Sequence, residues 1–174
     1  FFLIEQRLGE LIPSRNDPLI LAARYSLLAP GKRLRPQLVL AAAEAFGAKA
    51  EIALDPACAV EMVHTYSLIH DDLPCMDDDD LRRGVPSLHK VYGEAIALLT
   101  GDYLLTYAFE ILSKAPCLSA EQRLELIQTL AYAGGSEGMI GGQAIDIASE
   151  GVEIDQEKLI KMHEGKTAAL LAAS

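Results

Sequence analysis

Apolar positions recur every three to four residues along almost the whole chain, and no segment alternates strictly enough to read as a strand. This period predicts helices over residues 1–12, 17–29, 36–46 and 53–72. The first should end at Pro13, the second before "APGK", and the third at Gly47, glycine being common just past a helix end. Pro56 is expected in the first turn of the fourth, where a missing N–H is harmless. A loop should run from Pro74 to about Pro86, followed by a helix over 88–115 interrupted at Gly101. Ser119 with Gln122 forms a capping box for a helix over 120–133. Gly134, Gly135 and Ser136 break the chain before 137–149, and Asp155 suits the N-cap of a last helix. No repeat or linker divides the chain. The reading is all-α: one domain, 1–174, of helices with short connections.

Composition narrows this picture. With 174 residues, 51% of them hydrophobic, the chain can build a sizeable core. Its net charge of −10 argues against a nucleic-acid partner, because phosphate backbones demand a basic face. Local basic clusters still leave room for phosphate ligands. Three cysteines without CxxC spacing suggest reduced thiols and a cytoplasmic setting. No signal peptide is visible, and no apolar run is expected to reach the roughly 18 residues of a membrane span. The chain opens at "FFLIEQRL" and stops within the helical pattern "TAALLAAS", so we expect a piece of a longer protein.

The charge is unevenly placed. "HDDLPCMDDDDLRRG" puts six aspartates into ten positions, mid-chain, directly after an apolar-periodic segment. Asp71 and Asp72 would crown a buried helix at its negative end, with Asp77 to Asp80 close behind. Ser67 lies one turn below Asp71 on the same face and His64 two turns below. Such repulsion persists most readily when a cation relieves it, and oxygen-only ligands select a hard one such as Mg²⁺. An EF-hand does not fit: counted from Asp77, Arg82 stands where the loop needs Gly and Leu88 where it needs Glu. Mg²⁺ held by few carboxylates keeps positions for substrate phosphate, which Arg82 and Arg83 could grip.

"GKRLRP" places Lys32, Arg33 and Arg35 around a helix start, with Pro36 as a suitable first residue. Cations there oppose the helix dipole, so the arrangement makes sense if an anion binds among them. Two phosphate sites follow, one bridged by metal and one held by basic side chains. In "EGMIGGQAID" the glycines Gly138, Gly141 and Gly142 suggest close approach of a neighbouring helix or substrate. His70, His89 and His163 read as structural.

"GKRLRP", "HTYSLIHDDLPCMDDDDLRRG", "GEAIALLTGDYLL" and "GGQAID" resemble, in this order, the motifs of the trans-isoprenyl diphosphate synthases. The resemblance implies the isoprenoid synthase fold, antiparallel helices around a central substrate cavity, with the last helices missing from this stretch. It also implies that Asp71, Asp72 and Asp77 match the DDxxxxD motif, Asp71 and Asp77 being the main Mg²⁺ ligands. Arg82 resembles the residue gripping the allylic diphosphate, and Lys166 and Thr167 match a pair reaching that same group. Gln143 and Asp146 match a pair near the metals. Lys32, Arg35, His64 and Arg83 resemble the isopentenyl diphosphate site, although helical projection alone places His64 beneath Asp71. Bulk at Tyr66 and Ser67 would limit product length.

The implied activity condenses dimethylallyl or geranyl diphosphate with isopentenyl diphosphate, by Mg²⁺-assisted ionisation, condensation and proton loss, in a homodimer. Farnesyl diphosphate is the expected product and geranylgeranyl diphosphate the alternative. A terpene cyclase would have no use for "GKRLRP". The family's second aspartate-rich motif is not found after Lys166, so either the stretch is truncated or the protein is a non-catalytic partner subunit.

Overall fold

A computed structural model describes residues 1–174 as ten α-helices, one π-helical turn and a two-stranded ribbon. Helix α1 (Phe2–Leu11) buries Ile4 and Leu8, one helical face, and α2 (Pro18–Leu27) buries Ile20, Ala23 and Leu27. Asp17 caps α2 by accepting from the Ile20 N–H, with Pro18 in the first turn. Helix α3 (Leu34–Ala45) starts two residues before the expected Pro36, because Arg33 turns into the left-handed region (φ 48°) and begins the helix itself.

The long helix α4 (Ala50–Asp71) is the centre of the molecule. Residues Pro56 to Val63 are buried without a break, which only a helix surrounded on all sides allows. It packs against α3, α1 and, most extensively, α6 (Glu94–Lys114). Met62, Leu104 and Leu112 are almost completely enclosed, each contributing roughly 1.5–3 kcal/mol by leaving water. Pro56 lies in the second turn of α4, not the first, since the helix begins at Ala50.

Gly101 does not interrupt α6. The break falls at Gly93, whose φ of 82° separates α5 (Leu88–Tyr92) from α6. Gly101 is helical, and the ring of His70 lies where its side chain would stand: a Cβ there would sit 2.1 Å from the His70 Nε2. That nitrogen is 3.0 Å from the Leu98 carbonyl, so the end of α4 is fastened to α6. At 21 residues, α6 is long and apolar enough, by length and composition alone, to cross a membrane. This corrects the expectation that no segment would. Its neighbours here are α4, α2, α5 and α7.

Helix α7 (Ala120–Gly134) carries both halves of the Ser119–Gln122 capping box. Helix α8 (Met139–Ile147) precedes α9 (Gln156–His163), capped by Asp155. The next five residues, Glu164–Ala168, form a π-helical turn before α10 (Ala169–Ala172). Its backbone presses onto the glycines of α8: a Cβ on Gly142 would stand 2.0 Å from the Lys166 nitrogen. The close approach expected of these glycines is thus made by a neighbouring helical turn at Gly142, while Gly138 and Gly141 lie against the carbonyls of Ala133 and Ser136.

Gly142→Ala forces backbone apart and should destabilise by about 1–3 kcal/mol in urea unfolding. Gly9→Ala in α1 meets nothing within 4 Å and should stabilise by about 0.4–1 kcal/mol. Equal effects of the two would contradict the contact.

Candidate active site

The loop after α4 folds back on the helix end, where carbonyls lack partners. The N–H of Leu73 reaches the His70 carbonyl and that of Asp77 the Asp71 carbonyl (2.8 Å), bringing Asp77 beside Asp71. A two-residue ribbon follows, Leu81–Arg82 (β1) paired antiparallel with Val85–Pro86 (β2). The sequence pattern missed it because two residues are too few to show alternation. Arg83 and Gly84 both have positive φ, the geometry of a tight hairpin turn. The turn sends the tandem arginines to different places.

Arg82 reaches back to Asp72 through a close bidentate contact and to Asp79 at 3.1 Å. Its Nη1 makes no bond and stays available to an anion. Asp72 is buried and, with Arg82, lines a small adjoining cleft that shares Leu68 with the cavity below Asp71. Lys90 takes Asp80 at 2.7 Å and approaches Asp78. Four of the six aspartates therefore have a basic partner, while the carboxylates of Asp71 and Asp77 have none in contact. Burial foremost, and repulsion from Asp77, push the Asp71 carboxyl up to about 6, against the pull of Lys166. No three metal-ligating side chains converge into a closed cage.

Below Asp71 lies a cavity of about 400 Å³, lined by Arg35, His64, Tyr66, Ser67, Asp71, Gln143, Lys166 and Thr167 among the expected residues. Leu68, Met139, Ile140 and Ile147 make much of the wall apolar. Lys166, carried on the π-helical turn, pairs with Asp146 and feels the fields of Asp71 and Asp77. Tyr66 is buried in the wall without a hydrogen bond to its hydroxyl, while Ser67 donates to the His64 carbonyl.

A second cavity of about 460 Å³ is lined by Lys32, Arg33, Arg35, Glu61, His64 and Arg83. Arg83 donates to the Pro30 carbonyl at 3.3 Å, its guanidinium lying where a Cβ on Gly31 would stand. Arg35 and His64 line both cavities. Helical projection and family resemblance thus placed His64 on two sides of one wall. Burial, then Arg35 and Arg83, drives the His64 pKa down to about 3, so its imidazole is neutral.

Besides Asp72, Arg33 and His70 differ from expectation. Arg33 does not face an anion; it is buried, bonded to Glu5, Glu61 and the carbonyls of Leu27 and Ala29. His70, expected to be only structural, also lines the cavity below Asp71. The glycine at 101 inside an apolar helix was the available signal. Glu61, a charge within the most buried stretch of α4, went unread.

A profile of the polyprenyl synthetase family matches residues 17–174. The chain belongs to this family. Farnesyl diphosphate synthase of Bacillus subtilis is 54% identical over 89% of this chain and 53% of its own length. A chloroplastic heterodimeric geranylgeranyl pyrophosphate synthase large subunit from Arabidopsis thaliana is 50% identical over 99% and 48%. The crystal structure of an FPP/GFPP synthase from Zymomonas mobilis superposes with a TM-score of 0.92 at 47% identity, over 96% of this chain and 62% of that one. The polyprenyl synthetase chain therefore has the all-α isoprenoid synthase fold, and it spans about half the length of the curated relatives it matches.

The neutral His64 makes a pH prediction. Its folded-state pKa of about 3 lies below its ordinary 6.5, so the unfolded chain takes up the proton first as pH falls. Its contribution is complete above pH 6.5 and is lost as pH drops toward 3. His64→Gln should therefore flatten the loss of stability between those values in urea unfolding; an unchanged slope would contradict the burial of a neutral ring.

Proposed function

We propose that the chain is part of a polyprenyl synthetase domain that condenses an allylic diphosphate, dimethylallyl or geranyl, with isopentenyl diphosphate. The observation that carries this reading is the pair of cavities sharing the wall of Arg35 and His64. One is largely apolar and headed by the unpaired Asp71 carboxylate, with Asp77 beside it, as a prenyl tail with a metal-bound diphosphate requires. The other is cationic, as a small second diphosphate requires.

The donor set suits Mg²⁺, which is commonly held by one or two carboxylates plus substrate phosphates rather than by a full protein cage. Asp71 and Asp77 are the two carboxylates free for it, and Asp72 serves instead to hold Arg82. When bound, Mg²⁺ would draw negative charge from the diphosphate oxygens. Lys166 and the Nη1 of Arg82 would grip the same diphosphate as it leaves, stabilising charge that grows in the transition state. Thr167 and Gln143 stand where they can orient it. Lys32, Arg35 and Arg83 hold the isopentenyl diphosphate, with His64 as a neutral hydrogen-bonding group. The isopentenyl double bond then attacks the allylic cation, and the departing diphosphate takes the proton. Tyr66, Leu68, Met139 and Ile147 keep water from that cation.

Tyr66 favours farnesyl diphosphate as product, its ring narrowing the path one turn below Asp71, with geranylgeranyl diphosphate as the alternative. A homodimer is part of the proposal, supported by Leu98 and Leu99 lying exposed on α6, as is a cytoplasmic, reducing setting, supported by three free thiols. No membrane or nucleic-acid partner is proposed.

The full-length protein, given Mg²⁺, geranyl diphosphate and labelled isopentenyl diphosphate, should yield farnesyl diphosphate. Tyr66→Ala should lengthen the product by at least one five-carbon unit on chromatography. A wild type making no prenyl product would favour the non-catalytic subunit and sink the reading.

A further inference from the structure

The basic turn contains one cation whose guanidinium is taken up by the protein itself. Arg33 is 2% exposed, and its guanidinium is held by four neighbours. Nε donates to the Glu5 carboxylate at 2.7 Å and Nη1 to the Glu61 carboxylate at 2.8 Å. Nη2 donates to the Leu27 and Ala29 carbonyls at 2.9 and 2.8 Å. Glu61, 1% exposed, sits on α4 within a turn of His64 and lines the same cavity as Lys32, Arg35 and Arg83. It is the one carboxylate in that lining. The backbone of Arg33 is left-handed, a conformation a non-glycine residue adopts only when its surroundings impose it.

We propose that Arg33 and Glu61 are a positioning pair for the cationic cavity: Glu61, fixed on α4, draws the Arg33 side chain inward and sets the turn that delivers Lys32 and Arg35 to the ligand. The inference rests on the reading that this cavity takes the isopentenyl diphosphate. Two facts separate the role from simple support. A buried ion pair is a poor stabiliser, since apolar residues of similar volume serve as well or better. And Arg33 stands between Lys32 and Arg35 in the chain, so its left-handed turn decides which way each neighbour leaves the backbone. Glu61 also attracts Arg35, whose buried Nε has no hydrogen-bond partner. That donor is aimed for something the protein itself does not provide.

The test uses Arg33→Met, Glu61→Met and the double variant in the full-length protein. Arg33→Met strands the buried Glu61 carboxylate, and Glu61→Met leaves the buried Arg33 with Glu5 as its one carboxylate, so each should lower the thermal midpoint. The double variant removes both charges and should return the midpoint close to wild type. Its KM for isopentenyl diphosphate should nevertheless stay raised about tenfold or more, with the allylic KM within about twofold, because misplaced contacts cost affinity that restored packing does not return. A double variant with a wild-type isopentenyl KM would overturn the proposal. Should the double variant not fold, Arg33→Lys keeps the charge but cannot span four acceptors. The same split between the two KM values would support positioning, and two unchanged values would overturn it. If the wild type turns over neither substrate, the activity reading fails by itself, and calorimetry with inorganic pyrophosphate in the absence of Mg²⁺ decides the inference. Weaker binding by Arg33→Lys than by wild type supports it; equal binding, or none by the wild type, overturns it.

Discussion

Like-charge repulsion at the negative end of a buried helix is the constraint on which the rest of this structure depends. Helix α4 ends at Asp71, Asp72 caps it, and four more aspartates follow from Asp77 to Asp80. Each pair of such charges costs free energy, and the helix dipole adds to it. The fold answers with a tight hairpin that returns Arg82 to Asp72 and Asp79, and with Lys90 on α5, which takes Asp80. Neutralisation is selective. It stops short of Asp71, which lines the apolar cavity, and of Asp77 beside it, and that residue of uncompensated charge makes the site receptive to a divalent cation and its phosphate.

The second cavity is organised by the opposite problem. Lys32, Arg33, Arg35 and Arg83 crowd one region, and only Glu61 with the nearby Glu5 answers them. Arg33 is absorbed into the core by those two carboxylates, which leaves the other three cations turned to the cavity. Between the two charged sites stands a shared wall with a neutral histidine. Neutrality there is itself electrostatic, since burial and four arginines all disfavour the imidazolium.

Much of this was legible in the sequence. The helices followed from apolar spacing, and Ser119, Gln122 and Asp155 marked their ends through local hydrogen bonds that depend on few residues. The aspartate run and the basic turn announced two charged sites. What stayed hidden depends on contacts between distant segments. Nothing in "GKRLRP" distinguishes Arg33 from Arg35, because the difference lies in Glu5 and Glu61 far away in the chain. Gly101 read as a helix break until the His70 ring was seen lying on it. Asp72 was grouped with Asp71 by adjacency, yet successive helical residues point about 100° apart, and its carboxylate faces Arg82 across another cleft. The π-helical turn bearing Lys166 has no pattern of its own, and its backbone meets that of α8 at Gly142, far away in the chain.

The central claim is that charge compensation is selective, and Mg²⁺ titration by calorimetry in the presence of inorganic pyrophosphate addresses it directly. Asp71→Asn and Asp80→Asn remove the same formal charge from the same segment. The account predicts that Asp80→Asn binds Mg²⁺ within about twofold of wild type, since Lys90 already compensates that carboxylate, while Asp71→Asn weakens binding by about tenfold or more. Equal weakening by both would mean the metal responds only to the overall field of the loop, and would contradict the account.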